Sequence, residues 1–144
     1  MSTEASRALV HRLFDEVINR WNFAVLDQIF APIFRVAPDE GRPARGAEDA
    51  RQFFQWLQSV YPDLNYTIDD VVVEGELAVA RVHARGTHRG EWHGHSPTGL
   101  PVEYAEMIML RIVDGRITEW WIALDRLHIL EQIGAYKGTA RSSN

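Results

Sequence analysis

A chain of 144 residues with 20 acidic and 15 basic side chains, net charge −5, has the length for one domain around one core. It has no basic surplus to displace counterions, which argues against nucleic acid or an anionic membrane as partner. Hydrophobic residues make up 46% and charged ones 24%, which excludes a disordered chain, and the lack of cysteine excludes disulfides, thiolate catalysis and cysteine-ligated zinc or iron–sulfur centres.

The opening residues, MSTEASRALVHRLFDEV, carry charges every few positions and lack the apolar run of a signal peptide. No segment has the uninterrupted apolar length of a membrane span, so the expected location is the cytoplasm. Leu9, Leu13, Phe14, Val17, Ile18 and Trp21 recur at helical spacing behind Ser2 or Thr3 as N-cap. Phe23, Leu26, Ile29 and Phe30 suggest a second helix stopping near Pro32, followed by a short strand over 33–36. Residues 37–46, APDEGRPARG, read as a loop. A third helix is expected over 48–60, with Phe53, Phe54, Trp56, Leu57 and Val60 apolar and Pro62 ending it.

From Tyr66 the periodicity changes to that of strands. Residues 71–74 are rich in β-branched side chains, Gly75-Glu76 reads as a turn, and 77–88 alternate, with an extension to Trp92 conceivable. HGHSPTGLP, 93–101, is turn-like. Residues 102–113 and 116–124 flank Asp114-Gly115, a strong short hairpin signal. Leu127, Leu130 and Ile133 suggest a closing helix ended by Gly134. Residues 1–144 thus read as one α+β domain with flexible ends at 1–6 and 136–144. Its helices would pack on one face of a curved, mostly antiparallel sheet that wraps a pocket.

A regular ladder from a two-residue Asp114-Gly115 turn sets Ile112 opposite Ile117, Leu110 opposite Glu119, Ile108 opposite Trp121, and Tyr104 opposite Asp125. Tyr104, Glu106, Ile108, Trp121 and Asp125 then share one side, whereas a bulge would slip the register by one residue and undo the pairing of Tyr104 with Asp125. Met107, Met109, Trp120, Ile122 and Leu124 fall on the other side, an apolar face that suggests a homodimer.

Asp125 directly precedes RLHILEQIG, which suits a helix N-cap, and it also suits an acid/base carboxylate at the edge of an apolar pocket. Glu106 is the second carboxylate on that side. Of the histidines, His88, His93 and His95 lie close in sequence. Their spacing matches no known metal motif, and the odd separation of His83 from His88 divides them between two faces, so no metal is assigned. His88 reads as a structural histidine or as a neutral hydrogen-bonding group in the pocket. Phe53, Trp56, Ile108, Tyr104 and Trp121 are candidate lining for a flat organic ligand. A phosphate-binding glycine loop, a dinucleotide fingerprint and a nucleophile elbow are all missing, and nothing in the sequence asks for an organic cofactor.

GTHRG at 86–90, PTG at 97–99, RIVDGRITEWW at 111–121, Asp125, and LEQIG at 130–134 together resemble the SnoaL-like polyketide cyclase (ester cyclase) family. The resemblance is specific over the C-terminal half, with NFAVLDQIFAPIF and ARGAEDARQFF as looser matches before it. It implies a cone-shaped α+β fold of the nuclear-transport-factor-two-like kind, often dimeric. It also implies cofactor-free ring closure of a polyketide by aldol condensation, with Asp125 at the position of the acid/base aspartate. Several members carry a polar residue where this chain has Met107, Ile108 and Met109, which implies a more apolar pocket. An epoxide-hydrolase-like enzyme, with Asp125, Glu106 and Tyr104 as candidates, and a non-catalytic ligand-binding dimer are the alternatives, because fold does not fix reaction.

Overall fold

The computed structural model describes residues 2–37, 43–44 and 46–136. Helix α1 (Thr3–Arg12) begins behind Ser2, whose hydroxyl accepts from the Ala5 amide at 3.1 Å. Residues 3–6, expected as a flexible end, are therefore helical, and Ser6 is buried. The helix continues as a π-helical turn, Leu13–Ile18, with the Asn19 amide reaching back to the Phe14 carbonyl at 2.8 Å. A 3₁₀ turn (Phe23–Val25) leads into the one-turn helix α2 (Leu26–Ile29), then strand β1 (Phe30–Ala37).

The chain turns to strand at Phe30, earlier than the position of Pro32 suggests. Proline cannot donate to a ladder, and Pro32 falls between the Phe30–Ile117 and Arg35–Glu119 pairings, where the register is broken. A two-residue strand β2 (Pro43–Ala44) lies inside the expected 37–46 loop; 38–42 and 45 are outside the described residues. Helix α3 (Gly46–Val60) follows, with Ala50, Phe54, Leu57 and Val60 buried at helical spacing.

Four strands complete the sheet: β3 (Asn65–Glu74), β4 (Leu77–Thr87), β5 (Pro101–Val113) and β6 (Arg116–Leu124), before helix α4 (Arg126–Gln132). The order is β2-β1-β6-β5-β4-β3, all antiparallel except the β1–β6 pair. On β4 and β5 burial alternates residue by residue. The buried face of β4 is Ala78, Ala80, Val82, Ala84 and Gly86, small groups that let α1 and its π turn lie close to the sheet. Above β5 and β6 the buried groups are large: Tyr104, Ile108, Leu110, Ile112 and Trp120. Helices thus cover one face of an α+β sheet, as the sequence implies. Among the described residues no helix is long and apolar enough to cross a membrane.

The β5–β6 hairpin decides what reaches that covered face. Asp114 (φ 50°) and Gly115 (φ 78°) form the expected two-residue turn, since both φ angles are in the left-handed region that a primed turn requires. Ile112 pairs with Ile117 as a regular ladder demands. Thr118 is then an extra residue: Arg111 pairs with Glu119, Leu110 with Trp120, Ile108 with Ile122, and Glu106 with Leu124. The expected pairings beyond the turn, including Tyr104 with Asp125, are corrected by this one-residue bulge. Trp121 moves to the outer face beside Met109, and Trp120, Ile122 and Leu124 move inward.

Candidate functional site

Between the covered face and the helices lies a cavity of about 750 Å³. Its deep wall is aromatic and aliphatic: Phe14 and Ile18 from the π turn, Phe54 and Leu57 from α3, Ile108 and Trp120 from the sheet. Phe53, Trp56, His93, Ala123 and Arg126 are partly or fully exposed lining residues and mark its mouth. Of the sequence-selected residues, Phe53, Trp56, Tyr104, Glu106 and Ile108 line this one space. Trp121, Asp125 and His88 are not among its walls.

Glu106 is the only carboxylate among the described lining residues, and it is 7% exposed. Burial pushes its carboxyl up to about 7, because an apolar wall disfavours the charged form. A hydrogen bond from the Tyr66 hydroxyl at 3.0 Å works in the opposite direction by stabilising the carboxylate. The Tyr66 hydroxyl is also 2.8 Å from that of Tyr104, so the two phenols and the carboxylate form one chain. With Glu106 ionised, Tyr66 must donate to it and Tyr104 to Tyr66, since a carboxylate only accepts. Burial, followed by the nearby Glu106, holds both phenols well above the ordinary tyrosine range, so both remain protonated donors.

Register explains why these groups meet. Tyr66 pairs with Ala84 and Ala84 with Tyr104, so the phenols flank a strand that presents only a methyl group between them. Adjacent strands are ~4.8 Å apart, and the two rings lean together over the alanine. Asn19, just after the π turn, clamps the start of β3: it accepts from the Tyr66 amide at 2.7 Å and donates to its carbonyl at 3.0 Å. The Phe14 ring packs on Tyr66 with centroids 5.3 Å apart. The π turn therefore positions the phenol that holds Glu106. The sequence reading missed Tyr66, and only β3 register could have shown that it shares a face with Tyr104.

Asp125 lies on the solvent side as the N-cap of α4, where its carboxylate accepts from the His128 amide at 3.1 Å. The position that the family pattern marks thus performs the capping role. His88 is fully buried. Its Nδ1 meets the Thr98 hydroxyl at 3.0 Å and accepts from the Thr98 amide at 3.3 Å, and its backbone bonds Leu100 and Gly99. The GTHRG and PTG segments therefore hold each other. Gly90 is needed there because a Cβ would come within 2.1 Å of the Ser59 carbonyl oxygen, at the end of α3. That anchorage carries Trp92 and His93 to the cavity. His83 pairs with Asp69 at 2.9 Å, and among the described residues no three metal-ligating side chains gather.

The SnoaL-like polyketide cyclase model matches residues 8–133, and the chain belongs to this family. Among solved structures, TsrD from Streptomyces laurentii is similar at 28% identity and a TM-score of 0.83, covering 94% of this chain and 99% of its own. IdmH from Streptomyces antibioticus, a candidate polyketide cyclase, is similar at 31% identity and a TM-score of 0.74, covering 89% and 97%. AclR from Streptomyces galilaeus, a candidate hydroxylase, is 22% identical with a TM-score of 0.80 over 97% and 87%, and shares the fold. A comparison with curated proteins gave no match.

Proposed function

We propose that this protein is a cofactor-independent enzyme that closes a ring in a flat, largely apolar, polyketide-like ketone, with Glu106 as its general acid/base. The observation that carries this reading is the Glu106 carboxylate, the only one among the described lining residues, held at about 7 by burial inside an apolar cavity and wired to two protonated phenols. The Glu106 carboxylate takes a proton from the carbon next to a ketone. The resulting enolate carbon attacks a second carbonyl of the same molecule, forming the carbon–carbon bond, and the new alkoxide receives the proton from Glu106. The carboxylate is regenerated and no oxidant or metal enters the balance. A carboxyl near 7 suits both halves, because it is partly ionised and partly protonated at neutral pH. The aromatic walls hold the two reacting carbons adjacent and exclude water.

An epoxide-opening reading would use Glu106 to activate water and the Tyr104 phenol as the second acid, because Glu106 has no companion carboxylate among the described lining residues. The outer sheet face, with Val72 and Met107 at 63% and 47% exposure beside Met109 and Trp121, suits a second copy of the chain. Met107→Lys is expected to leave a monomer in sedimentation.

The enzymatic reading is tested with 1-(2-naphthyl)hexane-1,5-dione, following ring closure and deuterium uptake at the enolisable carbons by NMR. Parent protein should accelerate both, and Glu106→Gln should return both to within reach of the buffer rate. A parent protein that accelerates neither reaction would leave the cavity a binding site only.

A further inference from the structure

The geometry points to an anion-recognition position at the mouth of the cavity, formed by Arg126 with His93, so that the ligand is an aromatic or polyketide-like body carrying a carboxylate at its outer end. This inference rests on the cavity being the substrate site; it does not depend on Glu106 being the base.

Arg126 is the only lysine or arginine among the described lining residues, and it is exposed where Glu106 is buried. Among the described residues it has no hydrogen-bond or ion-pair partner, unlike Arg81 and Arg111, whose charges are paired on the outer face. It also occupies the first turn of α4, where a cation opposes the helix dipole. Capping by Asp125 explains why α4 starts there but not why a cation follows. The residue facing it across the mouth, His93, is likewise placed at a cost. It is a non-glycine residue at φ 46°, with its ring 5.4 Å from Trp56 and 4.8 Å from Trp92. Two locally unfavourable choices thus converge on one opening, and the two side chains sense each other: Arg126 adds to burial in disfavouring the charged imidazole. A neutral imidazole beside a guanidinium supplies one N–H donor without the repulsion that an imidazolium would place next to Arg126.

The arrangement fits a bifunctional ligand. Glu106 pairs with Leu124 at the end of β6, and Arg126 opens α4 two residues later, so the buried carboxylate and the exposed guanidinium line one cavity. A carboxylate held by the Arg126 fork would therefore leave a ring or two of apolar body within reach of Glu106. The reverse orientation would bring an anion against the buried Glu106 carboxylate, which repels it. The charge arrangement sets the direction of entry as well as the ligand class.

The experiment titrates 2-naphthoate and the neutral isostere 2-naphthamide into the full chain by calorimetry at pH 8. The naphthoate should bind about tenfold more tightly, and raising the salt to half molar should shrink that preference. Arg126→Gln should bring the two ligands to within about threefold by weakening the naphthoate alone. His93→Asn, which tolerates the left-handed backbone, should reduce the preference less. Glu106→Gln should retain or enlarge it, which separates this inference from the catalytic one. Equal binding of acid and amide, a preference that survives Arg126→Gln, or binding of neither ligand would overturn it.

Discussion

Glu106 and Asp125 belong to the same hairpin and meet opposite conditions. Glu106, in the middle of β5, is 7% exposed and reaches water only through a cavity. Asp125, just past the end of β6, is exposed and spends its carboxylate on a helix amide. The same two faces divide the arginines and tryptophans. Arg111 bridges Glu119 and Glu76 on the outside at 3.2 and 3.1 Å, while Trp120 stacks on Phe30 inside with centroids 5.7 Å apart. A carboxylate that only caps is worth about 1 kcal/mol. One that is buried without a full counter-charge opposes folding and persists where chemistry needs it.

The largest effect expected is from Glu106→Gln. Ring closure should fall roughly a hundredfold or more, because an amide cannot carry the proton. Stability should move the other way. Glu106 rises from 4.5 to about 7 on folding, so between those values the folded chain holds a proton that the unfolded chain has lost. Its contribution is therefore fully favourable below about 4.5, declines as pH rises, and is lost through about 7. Above that, burying the charge costs up to about 3 kcal/mol. The Gln variant should unfold later than the parent at pH 8 and alike at pH 4.5, as read from urea midpoints. Equal midpoints at both pH values would mean that Glu106 is hydrated rather than buried.

Tyr66→Phe should cost about tenfold in rate at pH 7. Losing the hydrogen bond that favours the carboxylate should push the acidic limb of the pH–rate profile upward, so that raising the pH restores part of the activity. A rate loss with no shift of the limb would assign Tyr66 a packing role alone.

Smaller effects test the bulge and the cap. Removing Thr118 should convert β5–β6 into a regular ladder with Arg111 still opposite Glu119 and Trp120 still inward. The cost should be about 1–2 kcal/mol, for lost twist and the Thr118 hydroxyl's bond to the Arg111 carbonyl at 3.3 Å. Loss of the cavity in that variant would show that the bulge shapes the sheet and does more than set its faces. Asp125→Ala should lose about 1 kcal/mol, and Asp125→Asn a few tenths at most, with turnover kept in Asn. A hundredfold rate loss in Asp125→Asn would move the proton-transfer role to the cap.

The family motifs were legible in the sequence, but much of what they do is structural. Arg111 and Glu119 tie the hairpin. His88 and Thr98 tie the loop, and Gln132 bonds both backbone groups of Glu103 at 2.7 and 2.8 Å. The sequence carries one signal for the bulge. A regular ladder sets Glu119 against Leu110, whereas slipping by one sets it against Arg111, and opposite charges across a strand pair are favoured. That choice would have sent Trp121 and Asp125 to the outside and Trp120 within.

The sequence by itself determined the order of the main helices and strands, the Asp114-Gly115 turn and the family, and it placed at Asp125 a residue suited to cap the last helix. Each of these is encoded in residues within a few positions of one another. Only the tertiary structure decided that Tyr66, Tyr104 and Glu106 join, that Phe14 and Ile18 wall the same space, and that Arg126 and His93 share its mouth. Those neighbours come from five separate segments, brought together by strand register and by a single extra residue at Thr118. Because side chains alternate with period two, one residue of slip exchanges the two faces of a strand.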